Sequence, residues 1–96
     1  MRIAEIIGTV TLNRVHPSFR GARLKLAVPY SLDVLAGRAE PSADPIVVWD
    51  ELGAGMGDRI AMAEGPEAAQ PFRPELKPVD AYNAAILDHI DLQGEP

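Results

Sequence analysis

A glycine-rich stretch near the middle of the chain restricts the fold more than any other feature of the sequence. Residues 50–60, D-E-L-G-A-G-M-G-D-R-I, place three glycines at alternate positions between two short apolar runs. Glycine adopts positive φ readily and lets another backbone approach closely. Three interpretations fit: a tight turn between strands, a loop packed against copies of itself around a symmetry axis, or a phosphate cradle. The cradle is the weakest, because the glycines lack G-x-G-x-x-G spacing and no long helix follows.

Alternating apolar and polar residues predict four strands around this loop. They cover residues 3–15, 22–28, 46–49 and 59–63. In the first strand, Ala4 and Ile6 lie on the more uniformly apolar face. Gly8 interrupts that strand, which is typical of a bulge or of a bend at the corner of a small barrel.

The second predicted strand has a regular alternation. Leu24, Leu26 and Val28 share one face, and Arg23 and Lys25 share the other. The apolar face is therefore expected to be buried, with the basic residues on the solvent side.

The C-terminal part of the chain contains the one convincing helix signal. Pro78 suits the first helical position, and Asp80 places negative charge in the first turn. The pattern predicts a helix over residues 78–87 that packs on the sheet through Val79, Tyr82 and Ile86. Residues 90–92 are expected to form a fifth strand. The sum is a mainly β fold: a single domain over residues 1–96, built as a small OB-like β-barrel of five antiparallel strands with one short C-terminal α-helix.

Composition and charge exclude several classes of function. The formal net charge of −5 argues against nucleic acid and anionic membranes, since both attract clustered Lys and Arg. The sequence has no cysteine, which excludes disulfides and thiolate metal sites. No apolar run approaches the roughly 20 residues of a membrane span. We therefore expect a soluble cytosolic protein.

The sequence offers little catalytic chemistry. His16 and His89 lack a partner at metal-ligand spacing, so neither metal nor cofactor is expected. Asp50, Glu51 and Asp58 flank the glycines and could form a carboxylate pair, although capping of the turn through backbone N–H groups is the favoured interpretation. No nucleophile and base are paired, so the chain is not expected to be an enzyme.

Aromatic and basic residues form two further groups. Trp49 and Phe19 could stack a base or a sugar, but in a small domain they are more often core residues. The only basic cluster comprises Arg14, Arg20, Arg23 and Lys25. In an acidic protein, such a cluster more often meets an acidic neighbouring subunit than a phosphate backbone.

Four segments resemble one protein family, and they occur in the family's order. Residues 8–10 (G-T-V) resemble its G-x-V, and residues 19–24 (F-R-G-A-R-L) its L-x-G-x-K-L. Residues 50–58 resemble its D-x-x-G-A-G-x-G-[DE], and residues 77–81 (K-P-V-D-A), followed by 86–88 (I-L-D), resemble its K-P-V-D-A…I-[IV]-D. This is the EutN/CcmL family of pentameric vertex proteins from bacterial microcompartment shells. The proline-rich residues 71–74 are not part of its pattern.

The resemblance implies a structural role. Five copies would form a pentamer that caps the vertices of a polyhedral shell in the bacterial cytoplasm, with hexameric and trimeric shell proteins as further partners. It places the glycine element toward the five-fold axis, so that Gly53, Ala54, Gly55 and Met56 are candidates for the rim of an axial pore. The subunit-interface candidates are Arg14, Arg20 and Arg23. The alternative from another class is an OB-type binding module for an oligonucleotide or an oligosaccharide, based on the barrel pattern, the aromatics and the basic cluster.

Overall fold

The barrel wall is made from short strands separated by glycine- and proline-rich connections. The computed structural model describes residues 1–94, and the barrel is closed. Its strands are β1 (Arg2–Val10), β2 (Leu24–Pro29), β3 (Ile46–Trp49), β4 (Arg59–Glu64) and β5 (Ala81–Ile86). The helices are α1 (Leu32–Leu35) and two 3₁₀ helices (Pro17–Phe19 and Gly65–Phe72). The predicted mainly β, five-stranded OB-like barrel is confirmed. Within residues 1–94, no helix has the length and apolar character needed to span a bilayer.

The strands follow the order β1-β2-β3-β5-β4 around the barrel. Four of the five contacts between strands are antiparallel. The fifth contact, between β3 and β5, is parallel and consists of the single pair Trp49 and Tyr82. The fully antiparallel arrangement expected from the sequence is therefore wrong at this seam.

Gly8 occupies an irregular position in β1, as its sequence context predicts. The register with β2 shifts between Ile6 and Gly8, which leaves Ile7 unpaired with that strand. A bulge bends a strand, and the bend lets β1 pair with both β2 and β4. The strand ends at Val10, five residues earlier than predicted.

The orientation predicted for β2 is wrong. Ala27 is fully buried in the core cluster, and Lys25, two residues before it, faces the same way. Leu26 and Val28 lie on the outer wall and are only half-buried. Residues of β2 do alternate between two faces, but both faces of the strand bury apolar side chains. Lys25 can point inward because Asp50 and a backbone carbonyl accept its ammonium.

The predicted C-terminal helix is also wrong. Residues 81–86 form β5, which pairs antiparallel with β4 from Ile60 to Glu64. Such a short Ala-rich segment has only a weak preference for helix. Pairing with the otherwise unpaired edge of β4 outweighs that preference. The fifth strand expected at residues 90–92 is absent from the described chain, because β5 already closes the barrel.

The barrel interior is small, and the fully buried residues of the described chain that line it are apolar with two exceptions. Its apolar cluster comprises Ala4, Ile6, Ala27, Val48, Ala54, Ile60, Met62 and Ala81. Asp50 and Asn83 are buried beside these residues. One of the two, Asp50, begins the glycine loop.

Candidate functional site: the glycine loop and its supports

The start of the glycine loop is organised by the carboxylate of Asp50. Its Oδ1 accepts hydrogen bonds from the backbone N–H groups of Leu52 (3.1 Å) and Gly53 (3.2 Å), and its Oδ2 accepts one from Ala54 (2.8 Å). These bonds satisfy three consecutive donors of a turn that has no ladder partners. The predicted capping role of Asp50 is confirmed.

Two side chains from other strands complete the site around Asp50. Asn83 on β5 donates to Oδ1 at 2.9 Å, and the Lys25 ammonium on β2 lies 3.1 Å from Oδ2. Lys25 also donates to the carbonyl oxygen of Ala54 at 2.6 Å. Burial alone would raise the pKa of Asp50, but the bonds from Asn83, Lys25 and the backbone lower the pKa below its ordinary value. Asp50 therefore remains a carboxylate and ties the loop to two strands.

The end of the loop is attached to β1. The Asp58 side chain accepts from the Gly55 N–H at 2.8 Å. The Gly57 N–H donates to the Ile6 carbonyl at 2.8 Å, and the Ile6 N–H donates to the Asp58 carbonyl at 2.9 Å. The predicted capping by Asp58 is confirmed, and both ends of the loop are held by the barrel.

The four axial candidates do not share one environment. Gly53, Gly55 and Met56 are exposed, and Met56 has 70% of its surface accessible. Ala54 is 2% exposed, and its methyl group belongs to the core. Gly53 has a φ of 79°, whereas Gly55 has an ordinary φ, and a Cβ there would meet Asp58 Oδ2 at 3.7 Å. The exposed tip of the loop thus combines a rigid backbone with small side chains and one long apolar one.

The basic cluster is divided by the fold. Arg14, Arg20 and Arg23 are exposed on the connection between β1 and β2 and remain available to a partner. Lys25, the fourth member, points into the barrel instead. The exposed part of the basic cluster therefore consists of three arginines.

An aromatic cluster lies on the outside of the β3–β5 seam. The ring centroid of Trp49 is 5.5 Å from that of Phe19 and 4.7 Å from that of Phe72. The ring of Phe72 is 5.6 Å from that of Tyr82. Trp49 is only 5% exposed, so it lies in packed surroundings rather than on an open stacking surface.

Phe72 belongs to a segment that we call the strap, residues 65–78, which begins with the 3₁₀ helix Gly65–Phe72. Lys77 near its end donates to the Ser18 carbonyl at 2.6 Å. The same ammonium lies 5.3 Å from the ring centroid of Trp49. The strap is thereby held against the outer wall.

The remaining titratable candidates have local partners. Glu51 accepts from the Trp49 indole N–H at 3.0 Å and does not pair with Asp50 or Asp58. The capping predicted for Glu51 is wrong, because Asp50 and Asp58 already accept the N–H groups of the turn. His16 Nδ1 accepts from the Ser18 N–H, and His89 Nε2 lies 2.9 Å from Asp91 Oδ1. Among the described residues, no three metal-ligating side chains come together.

Several important residues were missed by sequence reasoning. An aspartate before a glycine loop predicts backbone capping, but nothing local indicates that Asn83, 33 residues away, completes the site. The alternating pattern of β2 predicts that Lys25 faces water, and it contains no sign of the distant Asp50 that accepts the Lys25 ammonium inside the barrel. Phe72 and Lys77 lie in a proline-rich segment whose pattern predicts only a loop.

Comparison with known proteins connects this loop to a family. A family model described as ethanolamine utilisation protein EutN/carboxysome matches residues 1–88, which include the glycine loop and all five strands. The chain belongs to the EutN/CcmL family. The resemblance of its four motifs is confirmed.

Members of the EutN/CcmL family are similar to this chain over almost its whole length. The carboxysome shell vertex protein CcmL of Nostoc sp. is 33% identical over 94 residues, 97% of this chain and 88% of the relative. The structure of Gloeobacter violaceus CcmL has a TM-score of 0.85 at 29% identity and covers 100% of this chain and 94% of its own. The GrpN pentameric microcompartment shell protein of Rhodospirillum rubrum has a TM-score of 0.79 at 25% identity, with 96% and 99% covered.

This EutN/CcmL chain carries many large apolar side chains on its surface. Leu52 and Met56 on the loop, Val47 on the outer wall and Leu76 on the strap are each at least 45% exposed. Further exposed examples are Ile7, Leu12, Val15, Leu32 and Ile86. Each of these side chains would leave water if another protein covered it.

Proposed function

We propose that this chain is a structural shell protein whose homopentamer caps the vertices of a bacterial microcompartment. Such a pentamer would supply curvature between hexameric facet proteins within the bacterial cytoplasm. One observation carries the proposal: relatives named as shell vertex proteins are similar to this chain from end to end. Since the named role of those relatives is structural, we propose that this chain acts by assembly rather than by catalysis.

The surface of the chain supports self-association. A ring of identical subunits needs two different patches on each copy, because each subunit meets its neighbours head to tail. Exposed apolar side chains occur on the glycine loop, on the outer wall and on the strap. Their burial between copies would remove apolar surface that a small barrel cannot cover by itself.

Within this pentamer, we assign the exposed tip of the glycine loop to the five-fold axis. Gly53 and Gly55 have no side chain, so five backbones could approach one another there. Met56 would project from each copy, with Ala54 behind it in the barrel core. The exposed Arg14, Arg20 and Arg23 would contact the acidic surface of a neighbouring subunit.

The native mass in solution tests the proposal directly. Light scattering after size-exclusion chromatography should give five times the chain mass of 10.3 kDa. The pentamer should then assemble with a hexameric shell protein into closed particles, whereas the hexamer alone should form sheets or tubes. A monomer at every concentration would overturn the proposal and favour the OB-type binding module, which oligonucleotide and oligosaccharide titrations would then examine.

A further inference from the structure

The strap forms one wall of an open groove on the outside of the barrel. The groove has a volume of about 700 Å³ and lies between His16 and strap residues that include Pro66, Arg73, Leu76 and Lys77. Leu76 is 91% exposed, and Arg73 is exposed next to it. The lining is mainly apolar and includes two cations, Arg73 and Lys77, and one carboxylate, Glu75, which lies 3.5 Å from Lys77. The charge of the lining is therefore positive, and such a surface fits an apolar segment that carries acidic groups.

Most of the groove is lined by residues 65–76, and the rest of its lining includes Lys77 and Pro78 from the fourth motif. None of the four family motifs falls within residues 65–76. The strap is nevertheless well anchored, since Phe72 packs between Trp49 and Tyr82. A segment that is already held in one conformation loses little conformational freedom when a partner binds it.

The chain itself contains a segment with the complementary chemistry. Residues 87–94, which we call the tail, follow β5 and have neither helix nor strand. The tail combines apolar and acidic residues with one histidine, His89, which lies 2.9 Å from Asp91. Asp88 and Asp91 are exposed, and Ile90 and Leu92 are partly buried. Its apolar residues find only partial cover within their own copy.

The tail and the groove lie on different parts of the surface. Tail residues Asp88 and Ile90 line a polar depression with Gly57 and Arg59, and this depression shares no lining residue with the groove. A head-to-tail contact joins two different patches on each copy, and the groove and the tail are two such patches.

We propose that the tail of one copy lies in the strap groove of the next copy. In this contact the apolar tail residues cover Leu76, and the acidic ones face Arg73. The inference rests on the proposed self-assembly and names the segments that make it.

Engineered disulfides test the contact, because the chain has no cysteine and the background is clean. Leu76→Cys protein is mixed with protein carrying Asp88→Cys, Ile90→Cys or Gln93→Cys and is mildly oxidised. A disulfide forms only when two Cα atoms approach to about 4.4–6.8 Å. At least one tail position should give covalent dimers. Leu32→Cys, at a residue 56% exposed on α1, is the matched control and should give none.

The outcomes separate this contact from the vertex function. A wild-type pentamer without tail-to-groove disulfides at any of the three positions would overturn the contact and leave the vertex function standing. Equal dimer yields with the Leu32→Cys control would overturn it as well. A monomeric wild type without disulfides would overturn both proposals.

A charge exchange provides a second test in the full chain. Arg73→Glu places like charges in contact, so it should weaken the assembly. The protein concentration at which half of the assembly has dissociated should rise by about tenfold. Adding Asp88→Arg and Asp91→Arg to the same chain should restore most of that loss. Arg38→Glu reverses an exposed charge on another surface and should leave the assembly unchanged. Failure of the exchanged variant to recover, with an unchanged fold by circular dichroism, would contradict the contact.

Discussion

At the scale of single residues, Asp50 has the largest structural role in the glycine loop. It is fully buried, yet it accepts bonds from three loop N–H groups, from Asn83 and from Lys25. In the described part of the chain, no buried side-chain polar atom lacks a partner. A buried carboxylate with full hydrogen bonding holds its surroundings in one arrangement, whereas removal of one partner would leave a costly unpaired charge.

The protonation of Asp50 predicts a loss of stability in acid. Its pKa in the folded chain is below the ordinary value of 3.8. The ionised group therefore stabilises the fold above that value, and this contribution is lost as the pH falls through the lower folded pKa. Urea unfolding at fixed protein concentration should show little change from pH 7 to about pH 5 and a decline below about pH 4.

Asp50→Asn is the control for this acid dependence. It removes the titrating group but retains an oxygen acceptor, so its stability should be lower at pH 7 and should fall less between about pH 5 and pH 3. Glu64, whose pKa is lowered by Arg2, remains in both proteins and cancels in the comparison. Parallel pH curves for the two proteins would contradict the role assigned to Asp50.

Gly55 allows assembly to be tested separately from folding. Its ordinary φ and the 3.7 Å approach of a Cβ to Asp58 Oδ2 indicate that one subunit tolerates a side chain there. Five side chains around a narrow axis would collide. Gly55→Leu should therefore fold with nearly unchanged circular dichroism but fail to form pentamers by light scattering, and Gly55→Ala should show a smaller defect. A Gly55→Leu protein that assembles like wild type would remove Gly55 from the axis.

At the scale of elements, the β3–β5 seam differs from the other strand contacts. One residue pair joins the two strands, whereas β4 and β5 share five. Side chains supply the closure that the backbone lacks. Asn83 reaches Asp50 on the inside, and Phe72 packs on both Trp49 and Tyr82 on the outside. The strap is thus part of the barrel's closure.

Phe72→Ala tests this function of the strap. The ring is partly buried, so its loss should lower the free energy of unfolding by about 2 kcal/mol, less than for a fully buried phenylalanine. Hydrogen exchange should accelerate at the Tyr82 amide, next to the seam, more than in β1. Leu32→Ala, at an exposed position, should change stability by about 0.5 kcal/mol or less. If hydrogen exchange accelerated equally in all strands of the barrel, the strap would not act locally on the β3–β5 seam.

The two wrong predictions, the helix at residues 78–87 and the buried face of β2, have the same cause. Residues 81–86 lack a pattern that separates helix from strand, and the free edge of β4 decided the outcome. The face of β2 was decided in the same way, because Asp50 and the Ala54 carbonyl accept Lys25 from another part of the chain. Local features were predicted more accurately. The Gly8 irregularity and the capping of the loop by Asp50 depend on neighbouring residues alone.

At the scale of the whole molecule, the single chain is extended for its length. The Cα radius of gyration is 14.1 Å, whereas a compact domain of this length has about 12.5 Å. The principal extents are 47 × 26 × 20 Å. An elongated chain with exposed apolar side chains buries less of its surface than a rounder one. Association with other copies would supply the missing burial.

Thermal stability should therefore depend on protein concentration. Assembly binds only the folded state, so the Tm measured by calorimetry should rise by several degrees over a hundredfold increase in concentration. The Gly55→Leu protein should have a lower Tm that does not vary with concentration. A wild-type Tm that is constant over this range would contradict a contribution of assembly to stability.

The family, the mainly β class, four strands and the capping of the glycine loop by Asp50 and Asp58 were all readable from the residues alone. The strands and the caps follow from residues that are close together along the chain, and the family follows from four short motifs in order. The fold was needed to show that residues 81–86 form β5, that Lys25 points inward, and that the strap closes the β3–β5 seam. Each of these depends on partners that are distant in sequence, and local patterns carry no information about such partners. A short segment with weak preferences adopts whatever conformation satisfies its distant hydrogen bonds and buries its apolar surface.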